Sequence, residues 1–156
     1  YAIKYAYHMR RSGENFLGGD PHDTDMPLNY YVWVVRNAAR TILVDTGFTE
    51  AMAAKRGRQV IRPVAEGLAT LGITPAAVDN VIITHLHYDH VGWASRDGEI
   101  VFPNATYRCD VRDLEHFMGH HEQVTNPFDE ALQLRRECIA GLQAEGDELL
   151  GPAELA

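Results

Sequence analysis

Val81-Ile82-Ile83-Thr84-His85-Leu86-His87-Tyr88-Asp89-His90 joins a short apolar, β-branched run to three histidines and an aspartate. The run is bounded and brief, which suits a buried strand. In extended backbone, side chains at i and i+2 point the same way, so His85, His87 and Asp89 are expected to converge where the strand ends, with His90 arriving from the next turn. Neutral imidazole nitrogen and carboxylate oxygen are donors that zinc and neighbouring first-row divalent metals accept. A rigid apolar strand behind them would keep their geometry fixed. The plain alternative is a histidine-rich surface loop with no role, but His-x-His-x-Asp-His directly behind an apolar strand is a specific pattern.

Upstream, Thr41-Ile42-Leu43-Val44 and Tyr30-Tyr31-Val32-Trp33-Val34-Val35 read as neighbouring strands joined by a turn at 36–39, and Ala2 to His8 as a first strand. Between them, Arg10 to Pro27 is rich in Gly, Asp, Asn and Pro and reads as a long surface loop. Asp45-Thr46-Gly47 forms a turn, followed by a helical stretch to Arg58. Pro63 suits the first position of a helix over Val64 to Leu71 that Gly72 would end. Thr74-Pro75-Ala76-Ala77 resembles a capped helical turn. Downstream, Ile100-Val101-Phe102 and Thr106-Tyr107-Arg108-Cys109 read as short strands, Asp110 as the cap of a helix to Met118, and Phe128 to Glu145 as a further helix. Strands mixed with helices indicate an α/β layering.

The chain has 156 residues, 46% of them hydrophobic, so one domain is expected. A formal charge of −8, with 14 Lys and Arg against 22 Asp and Glu, opposes a nucleic-acid groove or an anionic membrane surface. A small-molecule partner is easier to accommodate. Nothing approaches the roughly 20 apolar residues of a membrane span, and no signal-peptide core is visible. A soluble, cytoplasmic protein is therefore expected, unless a leader has been removed; a homodimer is compatible with the sequence but not demanded by it. Cys109 and Cys138 lie far apart without Cys-x-x-Cys spacing and read as small buried apolar residues.

The His85–His90 motif resembles the signature of the metallo-β-lactamase superfamily, and within it the chain looks like the N-acyl homoserine lactonase-like metallohydrolases. The likeness runs from Asn15-Phe16-Leu17-Gly18-Gly19-Asp20 through Thr41–Gly47 to Asp89-His90-Val91-Gly92-Trp93, and Phe102-Pro103-Asn104-Ala105 also looks like the organophosphate-hydrolysing branch. After Asp113 it weakens. The resemblance implies an αββα sandwich of which this chain is the N-terminal half, with 1–110 as sheet and metal loop and 111–156 as a helical segment or lid. It implies two zinc ions, with manganese, iron or cobalt as substitutes, one on His85 and His87 and the other on Asp89 and His90. A hydroxide bridging them would attack a lactone or related ester, with Asp89 steering it or passing a proton to the leaving group. The family's later histidines and bridging carboxylate have no match before Ala156, so each ion has two ligands where three are usual. Rival readings are another hydrolase of the superfamily, acting on organophosphates, thioesters or β-lactams, and a truncated metal-binding domain without turnover.

Other residues invite roles with less support. Asp45 is implied by the resemblance to hold the metal loop by hydrogen bonds, against plain turn chemistry. Tyr88 and Trp93 flank the loop and are candidates for a substrate pocket, with core packing the alternative. Phe16 and Met26 are candidates for an acyl-chain wall by analogy. His116 and His120, four apart on a predicted helix with His121 beside them, could chelate, though a solvated helix face is the commoner meaning.

Overall fold

A computed structural model of the chain describes residues 1–113; the helix expected after Asp110 begins at 111–113, and its remainder to Met118, the helix over 128–145, the rest of the lid, Cys138 and the histidines at 116, 120 and 121 lie outside them. The described elements are β1 (Ala2–His8), α1 (Ser12–Asn15), β2 (Leu28–Arg36), β3 (Thr41–Val44), α2 (Glu50–Lys55), β4 (Gln59–Val60), α3 (Val64–Ala69), a 3₁₀ turn (Pro75–Ala77), β5 (Asn80–Ile82), α4 (Tyr88–Val91), β6 (Ser95–Arg96), β7 (Glu99–Ile100) and β8 (Thr106–Arg108). Six strands form one mixed sheet in the order β4-β1-β2-β3-β5-β8. β4, β1, β2 and β3 are antiparallel to their neighbours, whereas β3, β5 and β8 run parallel.

The register explains the core. Val34 pairs with Leu43 and Leu43 with Val81, and all three are at most 1% exposed. Each such burial contributes about 1.5–3 kcal/mol. Their neighbours Trp33 and Ile82, paired through Val44, point to the opposite face, where Tyr31, Trp33, Val35 and Ile82 are exposed. The buried face meets α3, which lies so close to β1 that a Cβ on Gly67 would fall 2.4 Å from the Ile3 side chain. Glycine is therefore required there by proximity.

β1 departs from regular pairing. Lys4 pairs with Tyr31 and Ala6 with Tyr30, which leaves Tyr5 as an inserted residue, a β-bulge. Tyr5 and Ala6 are consequently both buried, against the alternation of a regular strand.

Most expected elements are present. The 9–27 loop is stitched by Arg11 to Asp23 and Asp25 and by backbone pairing of Ser12 with Thr24, and it holds the short α1. Pro63 stands one position before α3, as its N-cap. Ile100-Val101-Phe102 is corrected: only Ile100 is in a strand, β7, which pairs with β6 in a separate two-stranded ribbon. Phe102 instead turns inward, fully buried, because its bulk fills the space beside Trp93, ring centroids 5.8 Å apart.

Candidate metal centre

β3 and β5 are parallel, so their carboxyl ends lie at one edge of the sheet, the place where open α/β sheets commonly bind ligands. Asp45 follows β3 and Thr84 follows β5. Asp45 N donates to Ile82 O at 2.8 Å, extending the parallel ladder, and the residue takes a left-handed φ of 61° that aspartate tolerates. Its carboxylate is 5% exposed and fully employed: Oδ1 accepts from Thr84 N at 2.8 Å and Thr84 Oγ1 at 2.9 Å, while Oδ2 lies 2.8 Å from His90 Nδ1. One side chain thus joins the start of the motif to its end.

The expected alternation stops at His87. That residue is extended, with φ −76° and ψ 153°, and is the N-cap of α4, so Asp89 and His90 project from a helical turn and not from continuing strand. Leu86 is 2% exposed and anchors the loop in the core, which leaves its neighbours His85 and His87 on the outer side. The loop backbone is held from a further element, since Leu86 N donates to Asp113 Oδ2 at 2.6 Å.

A helix of one turn cannot sustain itself and leaves carbonyls without intrahelical partners. Here they are capped from outside. His90 O accepts from Thr46 N at 2.6 Å and Thr46 Oγ1 at 3.0 Å, and Asp89 O accepts from Tyr5 Oη at 3.0 Å. Gly47, at φ 76°, bridges to Val91; a Cβ there would lie 3.0 Å from both Tyr5 Cζ and Val64 Cγ2. A Cβ on Gly92 would fall 3.1 Å from Gly47 O. The Asp45-Thr46-Gly47 turn and α4 are therefore in backbone contact.

The four residues expected to bind metal are brought together. Ring centroids of His85 and His90 are 3.8 Å apart and those of His85 and His87 4.6 Å apart, and His90 Nε2 is 3.6 Å from Asp89 Oδ2. Burial lowers the His85 pKa, and the nearby His90 and His87 rings lower it further, so its nitrogen lone pair is available at neutral pH. Burial opposes charging of His90, but the hydrogen bond and charge of Asp45, with Asp89 adding, outweigh it and raise its pKa. At 2.8 Å from a carboxylate, Nδ1 must carry a proton, which in the neutral ring leaves Nε2 as the lone pair facing Asp89. Among the described residues no group of three or more His, Cys, Asp or Glu side chains is disposed to hold a metal ion. The set fits a divalent cation in donor chemistry but does not form a closed site.

Other expected residues fall elsewhere. Tyr88 is half-buried between Phe48, 5.7 Å away between centroids, and the Arg56 guanidinium, 3.9 Å above its ring. Trp93 is in the core. Phe16 and Met26 stand exposed on the early loop. Cys109 is half-buried, and burial, with Asp113 and Asp110 adding, raises its thiol pKa. Sequence reasoning missed Tyr5, Thr46, Thr84 and Asp113. Thr84 was visible as the hydroxyl preceding His85, whereas nothing local marks Tyr5.

The family model described as the metallo-beta-lactamase superfamily matches residues 25–146. A probable metallo-hydrolase of Methanocaldococcus jannaschii is 35% identical over 51 residues, which are 33% of this chain and 23% of that protein. Among solved structures, AidC, a dizinc quorum-quenching lactonase in complex with a product, aligns with TM-score 0.68 at 14% identity, covering 96% of this chain and 58% of that one. A probable metal-dependent hydrolase from Staphylococcus aureus aligns with TM-score 0.60 at 18% identity, covering 79% and 50% respectively. The hydrolase AbOPH, of the beta lactamase superfamily, gives 0.59 at 20% identity, covering 96% and 59%. These likenesses show the fold. The chain spans between half and three fifths of the length of these solved chains, and no helix among the described residues is long and apolar enough to cross a membrane.

Proposed function

The chain belongs to the metallo-β-lactamase superfamily, and on that premise we propose that it is a metal-dependent hydrolase that opens a lactone or related ester, with His85 and His87 holding one divalent cation and Asp89 and His90 a second. The observation that carries the reading is the Asp45 carboxylate, which ties Thr84 to His90 and so gathers four donor side chains at the carboxyl end of two parallel strands. Each pair is one short of the three protein ligands usual at a catalytic zinc, so each ion requires a further donor from outside residues 1–113. Zinc is the first cation to try, with manganese, iron and cobalt compatible with the same donors. When bound, such ions supply Lewis acidity, lowering the pKa of water and polarising a carbonyl or phosphoryl oxygen.

The chain's own residues do the rest. Asp45 fixes the tautomer of His90 so that Nε2 presents its lone pair. His85 stays neutral. Asp89 is the one carboxylate among the four ligands and is the group suited to take a proton from water and pass it to the leaving oxygen. The lactonase AidC, which shares the fold, makes an acyl homoserine lactone the first substrate to offer.

Mass spectrometry tests the metal assignment: about two ions per chain are expected once the further donors are present, and the ion held by His85 and His87 is lost in a His85→Ala/His87→Ala variant. Metal content that the double variant leaves unchanged sinks it. Hydrolysis by the zinc-loaded chain of an acyl homoserine lactone, set beside a phosphotriester, a thioester and a β-lactam, tests the substrate class. Preference for any of the last three would move the reading to that branch.

A further inference from the structure

We propose that Tyr5 is a positioning residue for the Asp89–His90 half of the metal centre, acting through its hydroxyl and aimed there by the β-bulge in β1. The inference rests on the reading that these residues hold metal. Regular pairing on either side of Tyr5 leaves it without a cross-strand partner, and bulges of this kind re-aim a side chain. The re-aimed ring is 1% exposed, packs edge-on against Phe48 with centroids 4.9 Å apart, and covers Gly47, where no Cβ fits. Its hydroxyl reaches 84 residues along the chain to Asp89 O at 3.0 Å. That carbonyl belongs to a four-residue helix whose next carbonyl, at His90, is already taken by Thr46. Tyr5 therefore closes the remaining free end of the turn from which both ligands project, and fixes their spacing through the backbone where Asp45 acts on the His90 side chain.

Cobalt(II) titration of the full chain, followed by visible absorption, tests this without any turnover. Tyr5→Phe keeps the ring and removes the hydroxyl, and should weaken cobalt binding about tenfold, in the range seen when groups behind metal ligands are removed, with an altered band shape at saturation. Tyr7→Phe, on the same strand but bonded to Gln59, should match the unmutated chain in both. Thermal melting of each variant separates loss of fold from loss of coordination. Fluorotyrosine labelling of the otherwise unmutated chain gives a second readout: zinc should move the Tyr5 fluorine resonance and leave that of Tyr7 in place. Unchanged affinity and spectrum in Tyr5→Phe, or an unmoved Tyr5 resonance with zinc bound, overturns the role of Tyr5 while leaving the metal reading intact. Cobalt absorption that is absent, or indifferent to His85→Ala/His87→Ala, overturns both.

Discussion

The two halves of the histidine motif are held in different ways. Asp89 and His90 sit on a helical turn clamped from β1 by Tyr5 and from the end of β3 by Asp45 and Thr46, with Gly47 and Gly92 allowing backbone contact. His85 and His87 lie on extended backbone fastened by the buried Leu86 side chain and by one carboxylate, Asp113, from beyond β8. The Asp89–His90 half is organised by elements that precede the motif; the His85–His87 half shares Asp45 only through Thr84, whose Oγ1 lies 3.2 Å from His85 Nδ1, and takes a further carboxylate from beyond the motif. The difference teaches that two pairs of side chains a few residues apart can draw part of their rigidity from separate parts of the fold, so that they should loosen unequally when one support is removed.

Asp45→Ala should have the largest effect, because it breaks the clamp and leaves Thr84 N and His90 without their buried partner. A loss of about 3 kcal/mol in urea denaturation is expected, since three charge-assisted hydrogen bonds go at once. Metal at the Asp89–His90 pair should go with it, while binding at His85 and His87 should weaken less. Asp45→Asn keeps an acceptor for Thr84 and should lose less stability. Equal metal loss at both pairs would mean that the two halves are one unit.

Gly47→Ala comes next. The residue has φ 76°, and its Cβ would press on Tyr5 and Val64 at 3.0 Å, so a cost of about 2 kcal/mol is expected from strain and crowding together. Gly72→Ala, with a φ of 70° and open space around it, isolates the conformational part and should cost about 1 kcal/mol. Similar losses at the two positions, measured by urea denaturation, would show that the Gly47 contact with Tyr5 is slack.

How much of this could be read from the chain follows the same division. The strands on either side of the sheet centre were legible because Val32, Val34, Leu43 and Val81 sit in apolar runs rich in β-branched residues that burial rewards. The four donors and Asp45 were legible because they are contiguous or sit at a strand end. Tyr5 was not, since a bulge is a property of pairing between two strands and leaves no local mark. The helical turn at Tyr88–Val91 was also hidden: four residues carry too little periodicity, and capping by Tyr5 and Thr46 stabilises it from a distance. Asp113 carries no local mark either, since its bond to Leu86 N spans 27 residues.

Asp113→Asn should have a smaller effect, directed at the other half. Leu86 N keeps a neutral acceptor, so stability should fall by about 1 kcal/mol or less, and metal held by His85 and His87 should weaken while the Asp89–His90 pair is spared. Retention of both would place the anchor of the His85–His87 half in the Leu86 side chain alone.

The smallest effect reads the position of Asp113 without any metal. Burial raises the pKa of the Cys109 thiol first, and the negative charges of Asp113 and Asp110 raise it further. A thiolate is the reactive form, so Cys109 should alkylate slowly at neutral pH and faster as pH rises. Removing the Asp113 charge takes away one of the raising influences, which moves the thiol pKa down and increases the thiolate fraction at fixed pH. In Asp113→Asn, iodoacetamide labelling of the Cys109 peptide, followed by mass spectrometry to separate it from Cys138, should speed up by about twofold. Glutathione added to the same sample corrects for reagent strength. An unchanged Cys109 rate would mean that the Asp113 carboxylate does not stand where it can also reach Leu86 N, and the His85–His87 half would then need a different anchor.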